Sequence, residues 1–261
     1  MLSIEKITEG EVLLINKPLR WTSFDVVNKI RILLTNPSPR TANTLPPTEK
    51  YKIKRNIKVG HAGTLDPLAT GLLIVCTGKM TKTIDELQAK EKEYTGTFML
   101  GSTTPSFDLE TEVNGTFPTE YITEGMIRDT AKKFIGKILQ IPPAYSAVKI
   151  GGKRAYDLAR AGKTPDIKPK EITITEFEIT KIQMPAVEFK VVCSKGTYIR
   201  TLVADFGKVL SNGAYLSSLC RTRIGSFRLE QALTLEDFAA EIGVEFTSGN
   251  RIPAISKKKF H

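Results

Sequence analysis

The chain predicts an α+β fold carried on a mixed sheet, and two observations point there. Apolar runs of strand type and stretches of helical spacing follow one another without strict alternation, a pattern that disfavours a doubly wound parallel sheet. Hydrophobic residues make up 41% of the 261, enough to build a core in one or two domains. No segment of the chain repeats another.

Residues 11–15 read as a first strand. Thr22 or Ser23 then caps a helix in which Phe24, Val27, Ile30 and Leu34 recur at helical spacing, and the helix ends by Pro37. About residues 35–58 a basic loop is inserted. Pro37, Pro39, Pro46 and Pro47 stand there among Thr, Ser and Asn, and Lys50, Lys52, Lys54, Arg55 and Lys58 follow. The short apolar run 72–75 is a strand of buried type, and 93–100 is a second strand bearing Tyr94. Thr123 caps a helix with Ile127, Ala131 and Phe134 on one face. Residues 154–161 form a short helix stopped by Gly162, and 172–194 supply further strands. Residues 239–261 are expected to form only a short tail, in which Lys257-Lys258-Lys259 reads as a basic end.

Lys and Arg number 38 against 28 Asp and Glu, a formal charge of +10, which favours a polyanionic partner without choosing among RNA, DNA and an anionic membrane. No segment approaches the roughly 18 apolar residues of a membrane span, and the start lacks a basic end followed by an apolar stretch. A soluble, cytoplasmic protein is therefore expected. The three cysteines, Cys76, Cys193 and Cys220, form no Cys-x-x-Cys pattern, and with two histidines the chain offers too few ligands for zinc. The cysteines read as small buried apolar residues.

The most informative segment is Gly60-His61-Ala62-Gly63-Thr64-Leu65-Asp66-Pro67-Leu68-Ala69-Thr70-Gly71. It sets one carboxylate in a glycine-bracketed loop directly before a buried strand. Pro67 stiffens the chain after Asp66 and biases Asp66 itself away from helix. Asp66 is the candidate catalytic residue.

That loop resembles the catalytic loop of the TruB family of tRNA pseudouridine synthases. The resemblance continues through Asn16-Lys17-Pro18-Leu19-Arg20-Trp21-Thr22-Ser23, Lys92-Glu93-Tyr94 with Gly101, and Gln140 to Lys149 with its Pro142-Pro143-Ala144-Tyr145 centre. It goes on through Gly152-Lys153-Arg154-Ala155-Tyr156, Lys195-Gly196-Thr197-Tyr198-Ile199-Arg200-Thr201-Leu202 and Arg221-Thr222-Arg223-Ile224-Gly225, in the family's order over about residues 10–238. It implies a pseudouridine-synthase-type fold, a mixed and largely antiparallel sheet flanked by helices and RNA-binding loops. Residues 1–238 would be the catalytic domain, and 239–261 are too few for the RNA-binding PUA-type domain that such enzymes commonly carry.

The implied activity is isomerisation of a uridine in the T arm of tRNA, at position 55, by a monomer with no obligate protein partner and no membrane. The base leaves C1' of the ribose and returns through C5, so no electron is transferred and no cofactor or metal is needed. The residues leave three routes open: Asp66 as nucleophile at C1', Asp66 as nucleophile at C6, or elimination started at the sugar. A carboxylate in a water-poor pocket keeps its charge when a cation lies within hydrogen-bond reach, and the resemblance assigns that role to Arg200, whose planar fork suits a carboxylate. It places Tyr94 against the uracil, has Tyr198 and Leu219 shape the nucleotide pocket, and has His61 stack where the base has left the RNA. Lys17 and Lys82 are implied as structural or phosphate-contacting lysines. The target uridine has to turn outward before Asp66 reaches it, at a cost of roughly a few kcal/mol recovered in the pocket.

Three other readings compete. A phosphate-binding loop around Gly78-Lys79 fails on spacing: six residues separate Gly71 from Gly78 where a Walker loop has four, and Met80 stands where Ser or Thr holds magnesium. An RNA-folding chaperone on a synthase scaffold is disfavoured by the joint presence of Asp66, Tyr94 and Arg200. A guide-RNA-dependent relative is disfavoured because such proteins rely on the absent carboxy-terminal domain and on partner proteins.

Overall fold

The computed structural model describes residues 3–35, 57–146, 148–162, 166–244 and 246, in two compact units: residues 1–90 with 220–261, and residues 91–219. Residues 36–56 of the inserted loop, with Lys50, Lys52, Lys54 and Arg55, and the lysines of the tail lie outside the described residues. Among the described residues no helix is long and apolar enough to cross a membrane.

The first unit opens with helix α1 (Ile4–Gly10), strand β1 (Val12–Lys17) and helix α2 (Ser23–Thr35), followed by β2 (Val59–His61), β3 (Ala69–Thr77) and α3 (Ile84–Ala89). β3 pairs antiparallel with β1 along its length, and β2 pairs with its carboxy-terminal half. Eight of the nine β3 residues are buried because both of its faces are covered. Leu73 and Val75 point to a core built with Val26, Val27, Ile30 and Leu34 of α2. The alternate residues Leu72, Ile74 and Cys76 point to a second cluster with Ala62, Leu87 and Ile224. The same period of two explains an unusual burial. Leu13, Ile15 and Lys17 share the inward face of β1, so the strand's register carries a lysine into the interior.

Thr22 and Asp25 cap α2 reciprocally. The Asp25 carboxylate accepts from the Thr22 amide (2.8 Å) and hydroxyl (2.6 Å), and the Thr22 hydroxyl accepts from the Asp25 amide (3.0 Å). One expectation needs correction here. Phe24 is not on the buried face; it is 61% exposed, and Val26 and Leu33 join Val27, Ile30 and Leu34 in the core. Ser23 is buried instead because its hydroxyl is needed elsewhere, as described below.

The second unit comprises β4 (Lys92–Leu100), the short pair β5 (Ser102–Thr103) and β6 (Gly115–Thr116), α4 (Glu124–Lys133), β7 (Gly136–Gln140), the hairpin β8 (Lys149–Ile150) and β9 (Lys153–Arg154), α5 (Ala155–Arg160), β10 (Lys170–Gln183), β11 (Ala186–Cys193) and α6 (Ile199–Val209). Its sheet runs β4, β11, β10, β7, every pairing antiparallel. Thr123 caps α4 as its sequence predicts, and Gly162 follows α5 at φ 72°. The chain then runs through β12 (Ala214–Ile224) into the first unit, where β13 (Phe227–Arg228) and α7 (Leu235–Glu241) close it.

Five phenylalanines form the centre of the second unit. Phe206 lies 5.0 Å from Phe98, 5.8 Å from Phe177 and 6.0 Å from Phe134, and Phe189 adjoins Phe98 and Phe177. These tilted, edge-on and, for Phe134 with Phe206, stacked contacts add to the area each ring buries. Phe206→Ala is expected to cost about 3–5 kcal/mol, read as a fall in the midpoint of denaturant unfolding. A midpoint equal to the parent's would show that the cluster is not the unit's core.

Candidate active site

Asp66 lies in the loop between β2 and β3, three residues before β3 begins. Its neighbours are held on several sides. The Ser23 hydroxyl accepts from the Leu65 amide (2.8 Å) and donates to the Leu65 carbonyl (3.2 Å). The Arg20 amide donates to the Pro67 carbonyl (2.7 Å), and the Asp66 carbonyl accepts from Ala69 (3.0 Å). Gly63 and Gly71 bracket the loop at φ 99° and 101°, backbone that side-chain-bearing residues rarely adopt. Gly71 has a second reason, since a Cβ there would strike the Arg221 backbone.

The side chain of Arg221 holds both limbs of this loop. It has no exposed surface. Its Nε donates to the Leu72 carbonyl (2.8 Å), one terminal nitrogen to Gly63 (3.1 Å) and the other, at a longer 3.5 Å, to Thr64. A fully buried cation is costly unless hydrogen-bonded, and these carbonyls lie before and after Asp66. Sequence reasoning placed Arg221 in a motif and gave it no role. No local signal reveals one, because its partners lie some 150 residues earlier in the chain.

Lys17 is equally buried, and its ammonium donates to the carbonyls of Pro18 (3.0 Å) and Trp21 (2.7 Å). These contacts tie the ammonium to the turn that leads from β1 to α2. Burial lowers its pKa to about 8. The negative charge of Asp66 opposes that shift, Arg221 adds to it, and Asp25 opposes it more weakly. His61 ends β2 opposite Val75. Burial and then the charge of Arg221 push its pKa down, which keeps the imidazole neutral near pH 7. Lys82 stands exposed in the last turn of the 3-10 segment Gly78–Thr83.

The second unit carries the other candidates. Tyr94 is buried on β4 opposite Val191 of β11. Arg200 is the second residue of α6 and is 5% exposed. Its Nε lies 3.5 Å from the buried carboxylate of Asp108, and its terminal nitrogens donate to the carbonyls of Ser106 (3.2 Å) and Tyr145 (3.0 Å). Asp108 and Ser106 were missed in the sequence, where nothing local ties 104–108 to an arginine about 90 residues later. Phe107 between them has φ 63°, a conformation costly for a phenylalanine, and the residues on either side of it each supply an acceptor to one guanidinium. Tyr198 precedes α6, and the Gln140 amide clamps its backbone, accepting at 2.8 Å and donating at 3.1 Å. Leu219 is partly exposed on β12. Cys76 and Cys193 are buried and Cys220 is half-buried, all as free thiols.

The first unit thus holds an aspartate in a glycine-bracketed loop whose backbone is bound by a buried arginine, and the comparisons with known proteins identify the family. The family model described as TruB family pseudouridylate synthase (N terminal domain) matches residues 49–199, and that of the tRNA pseudouridylate synthase B C-terminal domain matches 200–247. The chain belongs to the TruB family. Among its relatives are proteins called tRNA pseudouridine synthase B from Flavobacterium johnsoniae (53% identical, over 90% of this chain and 96% of that one) and Phocaeicola vulgatus (53%, over 88% and 92%). Among solved structures, a chain in a Cbf5-Nop10-Gar1 complex is similar with a TM-score of 0.64 and 29% identity, over 92% of this chain and 56% of that one. A chain in an H/ACA RNP bound to a substrate RNA containing 2'-deoxyuridine gives 0.62 and 27%, over 94% and 59%. This chain thus spans a little over half the length of those two.

Two predictions test the electrostatics. Below about pH 8 Lys17 is protonated in both folded and unfolded chains. Between about 8 and 10.5 the folded protein releases that proton while the unfolded chain keeps it, so the contribution of Lys17 to stability rises with pH across this window. Urea unfolding at pH 7.5 and 9.5 is expected to show the parent gaining on Lys17→Met, by at most about 2 kcal/mol. A gap that stays constant or narrows would refute a depressed Lys17. Separately, a double-mutant cycle of Arg200→Lys and Asp108→Asn is expected to return a coupling of at least about 0.5 kcal/mol in unfolding free energy, whereas strictly additive effects would mean the two do not act as a pair.

Proposed function

We propose that this chain isomerises uridine to pseudouridine at position 55 in the T arm of tRNA, with Asp66 as the nucleophile. The glycosidic bond from N1 to C1' breaks, a bond from C5 to C1' forms, and the hydrogen displaced from C5 is balanced by one gained at N1. Atoms and electrons balance with no cofactor. One observation carries the reading: the backbone around Asp66 is held through Arg221, Ser23 and Arg20, which favours a carboxylate presented in a single geometry.

Family membership and relatives named for this activity support the pseudouridine chemistry on tRNA. Arg200 is assigned the positive charge that favours an ionised nucleophile, and Tyr94 the aromatic face for the uracil and a hydroxyl for proton transfer. His61, Tyr198 and Leu219 are assigned to the flipped nucleotide and the RNA around it, with Lys82 at the phosphates. The neutral imidazole of His61 suits stacking. The enzyme is taken to act in the cytoplasm as a monomer, with residues 1–238 as its catalytic domain.

Incubation of the purified protein with unmodified tRNA transcript, followed by carbodiimide treatment and primer extension, is expected to map one pseudouridine to the T arm. Asp66→Asn is expected to abolish the product while tRNA still binds, since affinity rests chiefly on phosphate contacts and loop shape. A rate near the parent's in that variant, with host synthase excluded, would remove Asp66 as nucleophile. Binding without product in the parent would make the chain an RNA-binding module.

A further inference from the structure

Arg20 occupies a position its residue type disfavours. It lies in the turn between β1 and α2 at φ 67°, the left-handed region that a side-chain-bearing residue enters at a cost of about 1–2 kcal/mol and glycine enters freely. The backbone has good reason for this geometry, because it directs the Arg20 amide to the carbonyl of Pro67, the residue after Asp66. Nothing in that requirement calls for a guanidinium. The interior of the turn is already filled by the Lys17 ammonium, which satisfies the carbonyls of Pro18 and Trp21. Arg20 is exposed on the outside, next to Leu19 at 53% exposure.

Its guanidinium also differs from those of five other described arginines. Arg31, Arg128, Arg200, Arg221 and Arg223 each donate to a protein carbonyl. Among the described residues the Arg20 side chain has no hydrogen-bond or ion-pair partner. The Asp25 carboxylate, in the first turn of α2, is engaged by the amide and hydroxyl of Thr22. The turn therefore holds a solvated cation, at a conformational cost, one backbone hydrogen bond away from the segment that carries Asp66.

We infer that Arg20 is a substrate-positioning residue whose guanidinium grips an RNA phosphate adjacent to the target uridine. The inference rests on the function proposed above and adds to it the contact that registers the backbone of the flipped nucleotide over the loop. A planar, bidentate donor suits phosphate oxygens. Because the Arg20 amide is tied to Pro67, the RNA phosphate and Asp66 would be referenced to the same short stretch of backbone.

The test uses Arg20→Gly and Arg20→Lys in the full chain, with unmodified tRNA transcript and with a T-arm stem-loop whose phosphates flanking the target uridine are replaced by uncharged methylphosphonates. Arg20→Gly relieves the left-handed strain, so its thermal midpoint is expected to equal the parent's or exceed it by up to about 3 °C. Its affinity for tRNA is expected to fall about three- to tenfold, and the slope of log K against log salt to flatten by about 0.7–0.9, the signature of one phosphate contact. The loss in kcat/KM is expected to enter mainly through KM. Arg20→Lys keeps the slope.

On the methylphosphonate stem-loop, parent and Arg20→Gly are expected to bind alike. An undiminished salt slope in Arg20→Gly, or the same loss of affinity on natural and methylphosphonate stem-loops, overturns the inference. A lowered thermal midpoint would also overturn it, because it would assign the side chain to packing. Failure of the underlying reading is visible separately: a parent that binds tRNA and forms no pseudouridine overturns the function, and this role for Arg20 with it, whatever the slopes show.

Discussion

The buried guanidinium of Arg221 is the constraint around which the first unit is organised. A charge with no exposed surface is tolerated only where acceptors surround it, and the acceptors here are carbonyls on both sides of Asp66. The loop is shaped to satisfy the arginine, and the arginine in turn keeps the loop in one conformation. Gly71 permits the close approach of the two backbones, and Gly63 bends the chain so that its carbonyl faces inward. The charge of Arg221 reaches further, lowering the proton affinity of both His61 and Lys17. A single side chain thus sets the geometry of the loop and much of the electrostatics around it.

Lys17 complements this arrangement from the other side of the loop. Strand register carries it inward, and the turn that follows closes over its ammonium. The turn then meets the catalytic loop through the Arg20 amide, and α2 meets it through the Ser23 hydroxyl. That second contact explains why the helix buries a serine at its first position and leaves Phe24 in solvent. Rigid support of this kind, from a strand, a helix and a buried cation, is what a site needs if its reacting group is to be placed before substrate arrives.

The second unit handles its own buried arginine in a different way. Arg200 sits near the start of a helix, where a cation is not helped by the helix dipole, and it is compensated by the Asp108 carboxylate and two carbonyls. The turn that delivers two of these acceptors, from Ser106 and Asp108, contains a left-handed phenylalanine. Beneath it, the five-phenylalanine cluster provides a stiff base, since tightly packed interiors yield little to local strain. In each unit a buried guanidinium is fixed by hydrogen bonds to backbone carbonyls.

Much of this was legible in the sequence, where the relevant physics is local. Glycine bracketing, Asp-Pro stiffness, alternation in β3 and the caps at Thr22 and Thr123 depend on neighbours a few residues apart, and each element they predict is present. The string of motifs likewise pointed to the family that the comparisons show. What the sequence alone did not determine is which charges are spent within the protein. Arg20, Arg200 and Arg221 are the same residue type, yet one is exposed and two are buried against carbonyls far away in the chain. The Asp108 carboxylate gains its meaning from a residue 92 positions later, and Lys17 changes from a surface cation to an interior one through strand register. Desolvation and hydrogen bonding between distant segments exist only once the chain is folded, so the division between structural and solvated cations was decided by tertiary structure.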